Sequence, residues 1–179
     1  MRIVILGSAY PLRGGGIASF NERLAVHLQE VGHEVDIYSF SLQYPNFLFP
    51  GKSQYSDEPA PTGLHIKTTV NSINPFNWIK VGKELKKANY DLLIVRFWMP
   101  FFGPCLGTIQ RQVRKNKHTK IVCIADNIIP HEQRIGDSLL IRYFLKSVDA
   151  CLTMSKSVLA DLKMLSPQMP AVYTPHPLY

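Results

Sequence analysis

Residues 9–24 read AYPLRGGGIASFNERL, with Gly14, Gly15 and Gly16 between an apolar run and a helical pattern. Three consecutive glycines cost backbone entropy. Either a tight turn or the close approach of another molecule must justify them. A helix that opens directly after such a loop presents unpaired backbone N–H groups, which favour a phosphate. Two specific versions of that chemistry fail on spacing. No GxxxxGK[ST] is present, and neither is GxGxxG. The second expected strand ends Tyr38-Ser39-Phe40, with no acid to hold a ribose. A nicotinamide-dependent oxidoreductase is therefore disfavoured.

A second stretch, DNIIPHEQRIGD, runs from Asp126 to Asp137. His131 and Glu132 suggest the zinc motif HExxH, but position 135 is Ile135 and the segment carries Pro130 instead of a helical pattern. No metal is expected. Asp126 and Asn127 directly follow an apolar, strand-like run. In a parallel sheet, that position points side chains into the ligand crevice. They are candidate functional residues, with His131 and Glu132 beside them in the same loop. The third stretch is RFWMPFFGP, Arg96 to Pro104. Core packing is the plain reading of so many aromatics. Because the stretch begins at a strand end, Arg96 and Trp98 could instead help wall a cleft. His27, His33, His65 and His118 read as surface or helix-end residues.

The elements that must position these residues follow from periodicity. Short β-branched runs predict strands at Ile3–Leu6, Glu34–Phe40, Leu64–Val70, Asp91–Phe97, Lys120–Ala125, Ala150–Met154 and Ala171–Thr174. Apolar residues at steps of three and four predict helices between them. The first carries Ile17, Phe20, Leu24, Leu28 and Val31 and ends at Gly32; others cover Asn77–Ala88, Phe102–Lys115, Ser138–Ser147 and Lys156–Met164. Ser155 is placed to cap the last of these. Strand and helix alternate throughout, which predicts a single α/β domain: an open parallel sheet with helices on both faces. Tyr44 to Gly63 is a long, proline-rich loop.

Composition narrows the partners. The 179 residues are 46% hydrophobic and 18% charged, which argues for a folded domain and against disorder. The 20 Lys and Arg outnumber 13 Asp and Glu, giving a formal charge of +7 and an affinity for something anionic. No nucleic-acid module motif accompanies the lysine clusters at 80–87 and 111–120, so nucleic acid is not expected. Those clusters read as solvated helix faces or, more sharply, as a weak contact with an anionic membrane surface. Cys105, Cys123 and Cys151 form no CxxC pair and read as small buried residues in a reducing compartment. No apolar run approaches the ~20 residues of a membrane span. The expected location is cytoplasmic, with the inner membrane face as the site of any peripheral contact.

Taken together in this order, three segments resemble a family. YPLRGGGIASFNERLAVHLQEVGHEVDIYS, DNIIPHE and SVDACLTMSKSVLADL are similar to the N-terminal domain of GT-B glycosyltransferases, specifically the retaining glycosyltransferase family four. The resemblance covers essentially the whole chain. It implies a Rossmann-like domain, the N-terminal half of a GT-B fold. It also implies a hexosyltransferase of polysaccharide biosynthesis that uses a nucleotide sugar as donor and a glycan or lipid-linked sugar as acceptor, with no further cofactor. Gly14 to Gly16 would lie against the donor diphosphate or the transferred sugar. The first residue of the DNIIPHE loop would face the reaction centre, and there this chain carries Asp126 where the family often has histidine. That departure counts against a part that needs an imidazole, while sugar hydroxyls could still bind the carboxylate. The family's second domain, with most of the nucleotide site, is expected beyond these residues, so that the chain alone should be inactive. The other reading that stays open is a non-catalytic module that binds a glycan or a lipid-linked sugar.

Overall fold

The computed structural model describes residues 1–13, 15–45, 54–57, 59–130 and 134–176. The run RIVIL forms β1 (Arg2–Leu6). Helix α1 (Gly16–Glu30) follows the glycine loop and stops where Gly32 adopts φ +90°, a conformation that a side chain would strain. The chain then enters β2 (Glu34–Leu42) and, after the long loop, β3 (His65–Asn71). Helix α2 (Pro75–Ala88) is capped by Asn74, whose side chain accepts from the N–H groups of Phe76 and Asn77. It ends at Asn89, which takes a left-handed conformation at φ 55°. The remaining elements are β4 (Leu92–Phe97), α3 (Gly103–Val113), β5 (Lys120–Ala125), α4 (Asp137–Leu145), β6 (Ala150–Thr153), α5 (Lys156–Leu165) and β7 (Ala171–Tyr173).

Every strand pairs parallel to its neighbours, in the order β3-β2-β1-β4-β5-β6-β7. The predicted open parallel sheet is therefore observed, and β1, β4 and β5 are its three central strands. Register joins Leu6 to Val95 and Val95 to Cys123, so one buried row crosses the middle of the sheet. Such strands are apolar on both faces because helices cover both. The coverage is unequal. Phe20, Leu24, Ala25 and Leu28 of α1 pack on Ile3, Ile5, Ile37 and Ile94 on one face. Residues of α2, α3, α4 and α5 all join the cluster on the other.

Two expectations need correction. The helix expected over Phe102–Lys115 is α3 flanked by 3-10 turns at Pro100–Phe102 and Arg114–Asn116. Pro104 lacks an N–H and is tolerated only in the first helical turn, so the helix cannot begin earlier as a regular α-helix. Ser155 stands at the N-terminus of α5, but its hydroxyl bonds the Ser157 hydroxyl at 2.7 Å and caps no backbone group.

The edge strand β3 is only half-buried, and polar links fasten its amino end. His65 bonds Asp36 at 2.5 Å, Lys67 reaches Glu84 at 3.3 Å, and Tyr38 donates to Glu84 at 2.6 Å. Burial works against charge on Asp36. Hydrogen bonds from Tyr90 and His65, with the charges of His65 and Lys67, outweigh it and hold the carboxyl below its ordinary value.

Leu93 is fully buried in β4, the middle strand of the sheet. Leu93→Ala should lower unfolding free energy by about 2–5 kcal/mol through lost burial and the cavity left behind. Denaturant titration should show the midpoint fall with little change in slope.

Candidate functional site

In a parallel sheet all carboxyl ends share one edge, so the loops after β1, β4 and β5 stand side by side there. The β1–α1 loop is held from several directions. The Asn21 side-chain amide donates to the Ser8 carbonyl at 2.8 Å, and the Ser39 hydroxyl donates to the Ala9 carbonyl at 2.8 Å. Glu22 accepts from the Tyr10 N–H at 2.8 Å, and the Arg13 N–H reaches the Gln54 carbonyl at 2.8 Å. Most of the backbone leading to the glycines is therefore fixed.

The glycines differ in what they are for. A Cβ on Gly7, at the end of β1, would stand 2.9 Å from the Asn21 amide and 3.1 Å from the Arg96 side chain. Packing within the chain demands glycine there. At Gly15 and Gly16 an added Cβ would meet no described residue within 4 Å. Gly15 is extended at φ −135°, which any residue adopts, and Gly16 opens α1. Neither conformation nor internal packing requires glycine at 15 or 16. Helix α1 also begins without a side-chain cap among the described residues.

Arg96 is 1% exposed at the carboxyl end of β4. Its Nε donates to one Asp126 carboxylate oxygen at 3.0 Å and its Nη2 to the other. The pair is bidentate, the strongest geometry for this ion pair. The guanidinium lies over the Phe20 ring at 4.3 Å, and Phe20 in turn meets the His176 ring edge-on at 5.8 Å. Burial raises the Asp126 carboxyl above the ordinary aspartate range, while Arg96, and more weakly His176, oppose that rise. Arg96, considered in the sequence as a ligand contact, is instead seated beneath Asp126, where it positions the carboxylate.

The candidate residues fall into two depressions at this edge. A cleft of about 270 Å³ brings together Gly15, Gly16, Arg13 and Trp98, with Ser8, Gln43 and Tyr44. Trp98 donates from its indole to the Tyr44 hydroxyl at 2.8 Å. A second, about 590 Å³, holds Asp126 and Asn127 with Ser155, Ser157 and Asp161. The two loops thus open on the same end of the sheet, as expected, without lining one pocket. Gly14, His131 and Glu132 lie outside the described residues. Another depression, about 460 Å³ and lined by Arg142 and Leu165, sits at the amino ends of β6 and β7 and holds none of these residues. Phe20, Gln43, Tyr44 and His176 were not legible as site residues. Phe20 counted as one of several helix apolars, and no local pattern marks His176. No group of three or more His, Cys, Asp or Glu suited to a metal exists among the described residues.

A family model described as "Glycosyltransferase Family 4" matches residues 14–167. Among solved structures, an alpha-glucosyltransferase in complex with UDP and a 13-mer DNA is similar at 14% identity and TM-score 0.59, over 96% of this chain and 40% of that one. Sucrose-phosphate synthase from Thermosynechococcus elongatus is similar at 14% identity and TM-score 0.57, over 99% of this chain and 90% of that one. UDP-GlcNAc 2-epimerase from Methanocaldococcus jannaschii follows at 8% identity and TM-score 0.56, over 92% and 42%. At these identities the likeness is one of fold. The chain spans about two fifths of the length of the alpha-glucosyltransferase. No curated protein matches the chain.

Arg96→Met keeps most of the side-chain volume but leaves the Asp126 carboxylate without its counter-ion, at a cost of about 3–5 kcal/mol. The sign with pH is fixed. The folded Asp126 pKa lies above its unfolded value, and removing Arg96 raises it further. Stability is retained at low pH, where Asp126 is neutral in both states, and is lost as pH rises through the folded pKa. Unfolding measured from acid to neutral pH should show the deficit of Arg96→Met growing with pH. Adding Asp126→Asn should remove that pH dependence.

Proposed function

The chain belongs to glycosyltransferase family 4, and from that premise we propose that it forms one wall of a cleft in which a sugar is transferred from a nucleotide donor. The observation that carries this reading is the pair Gly15 and Gly16. They stand at a helix start without a side-chain cap, where a Cβ on either would meet no described residue. A body from outside the chain supplies the reason: side chains there would keep a phosphate or a sugar from the backbone N–H groups. The α-glucosyltransferase of the same fold is bound to UDP, which supports a nucleotide-linked donor for this chain.

In this reading Trp98 and Tyr44 form the apolar side of the cleft, suited to the face of a sugar ring, and Gln43 supplies polar contacts to hydroxyls. Asp126 has spent part of its capacity on Arg96. A carboxylate has about four acceptor sites, so the remaining ones are free to take hydrogen bonds from sugar hydroxyls in the second depression. Because Arg96 neutralises it, Asp126 orients the substrate and does not attack it. The base and diphosphate are held mainly by a further domain on the opposite wall. The transfer is of a hexose, with retention, to a glycan or lipid-linked acceptor. Alone, the chain does not catalyse it.

Gly15→Val adds a Cβ that meets no described residue, so its only expected effect on stability is the loss of a favourable N-cap residue, about 1 kcal/mol. In the transferase that contains this chain it should lower kcat/KM roughly tenfold or more, a loss of ~1.4 kcal/mol in transition-state binding. Unchanged turnover would remove the glycines from the site.

Calorimetric titration of the 179-residue chain with UDP- and GDP-sugars should give affinities no better than about 1 mM. Charge-assisted phosphate bonds, each worth about 1.5–3 kcal/mol, are supplied mainly by the other wall. Micromolar binding, or turnover by the chain itself, would show that it holds a complete site.

A further inference from the structure

Beyond β7 the chain turns back over the sheet. The Thr174 N–H donates to the Thr153 carbonyl at 2.9 Å, which carries the β6–β7 ladder to the carboxyl edge. Pro175 has no N–H to extend it. The next residue, His176, is exposed and meets the Phe20 ring edge-on at 5.8 Å. Strand β7 lies at the edge of the sheet, while Phe20 belongs to α1 and carries the guanidinium of Arg96, from β4, over its ring. The segment after β7 therefore returns towards the carboxyl ends of the middle strands. Side chains on a helix lean towards its amino end, so the Phe20 ring lies over the first turn of α1, which Gly16 opens. His176 stands beside that turn. Its charge also reaches the Asp126 carboxyl. One imidazole thus serves both the helix start of the glycine loop and the carboxylate of the β5–α4 loop. Packing alone does not call for an imidazole, because any aromatic ring can make an edge-on contact with Phe20.

We propose that His176 is a further contact residue for the donor diphosphate, placed between the glycine loop and Asp126. The inference rests on the glycosyltransferase reading above and deepens it. A diphosphate seated on the N–H groups at the start of α1 brings negative charge to this edge. Arg96 does not answer it, because its own charge is matched by Asp126. Arg13 lies in the cleft, just before the glycines. An imidazole donates a hydrogen bond from one ring nitrogen when neutral and from both when protonated. In the protonated form it adds charge as well, and charge-assisted bonds to phosphate are the strong ones. Set against Phe20 and near Asp126, the ring also has less freedom to lose on binding than a solvated lysine has. The same contact gives the segment after β7 a part in the site, although that segment lies far from the glycines in the chain.

The test is an NMR titration of the 179-residue chain with inorganic pyrophosphate at constant ionic strength. The Gly15 and Gly16 amides and the His176 ring protons are expected to shift along a single saturation curve in the millimolar range. His176→Phe keeps an aromatic ring against Phe20 and should weaken the binding read at the glycine amides roughly tenfold. Amide spectra of the two proteins should overlay away from this edge, which separates a lost contact from a lost fold. Lys117→Gln, at the amino end of the sheet, should leave the affinity as it was. Glycine amides that saturate while His176 stays still, or unchanged affinity in His176→Phe, would overturn the role of His176 and leave the glycine loop in the site. Glycine amides that do not move would remove the loop itself from the site, and His176 with it. An equal loss in Lys117→Gln would show diffuse ion binding and overturn the proposal.

Discussion

The buried pair of Arg96 and Asp126 ties the functional edge of this domain together. A guanidinium that is 1% exposed keeps its charge, so burying it is costly unless a partner is in place. Its partner comes from the next strand, its aromatic cover from α1, and its room from Gly7 at the end of β1. Three central strands and the first helix must all be correctly placed before the pair can close. The same ion pair then fixes where the first residue of the β5–α4 loop points. Stability and site geometry therefore rest on one interaction, and neither can be changed without the other.

The sheet explains why so many candidate residues meet. Parallel strands put the loops after β1, β4, β5 and β6 on one edge, whatever their separation in the chain. The helices are distributed unevenly. With α1 on one face and the other four helices on the opposite face, the glycine loop opens towards the less crowded side. The amino ends of the strands carry a different chemistry. There the Asp36, His65, Tyr38 and Glu84 network joins β2 and β3 to α2, compensating an edge strand with little core of its own. One end is built of mutually satisfied polar groups, while the other carries a glycine pair and a helix start without a side-chain cap among the described residues. That contrast between satisfied and unspent polar capacity is the physical basis for placing the site at the carboxyl edge.

Membership of glycosyltransferase family 4 is consistent with this division of labour. A single Rossmann-like wall can offer backbone donors, an aromatic platform and a positioned carboxylate. It offers few cations to a diphosphate: Arg13 lies in the cleft and Arg96 is committed to Asp126.

The sequence by itself determined the element order, the class of fold and the central strands. The expected Lys120–Ala125 coincides with β5, and Ile3–Leu6 with most of β1. Helix and strand periods are set by residues within a turn or two of each other, so local pattern suffices. The motif order also carried the family resemblance. Tertiary structure alone decided what Arg96 does. An arginine after Leu92-Leu93-Ile94-Val95 reads equally well as a strand end facing a ligand. Its burial depends on Gly7, Phe20 and Asp126, which meet it only through the strand order. Trp98 finding Tyr44, and Phe20 finding His176, depend likewise on contacts 54 residues apart or more. Gly7 and Gly15 are the same residue in the sequence. Only the space around each distinguishes a glycine required by its own fold from one left open to something else.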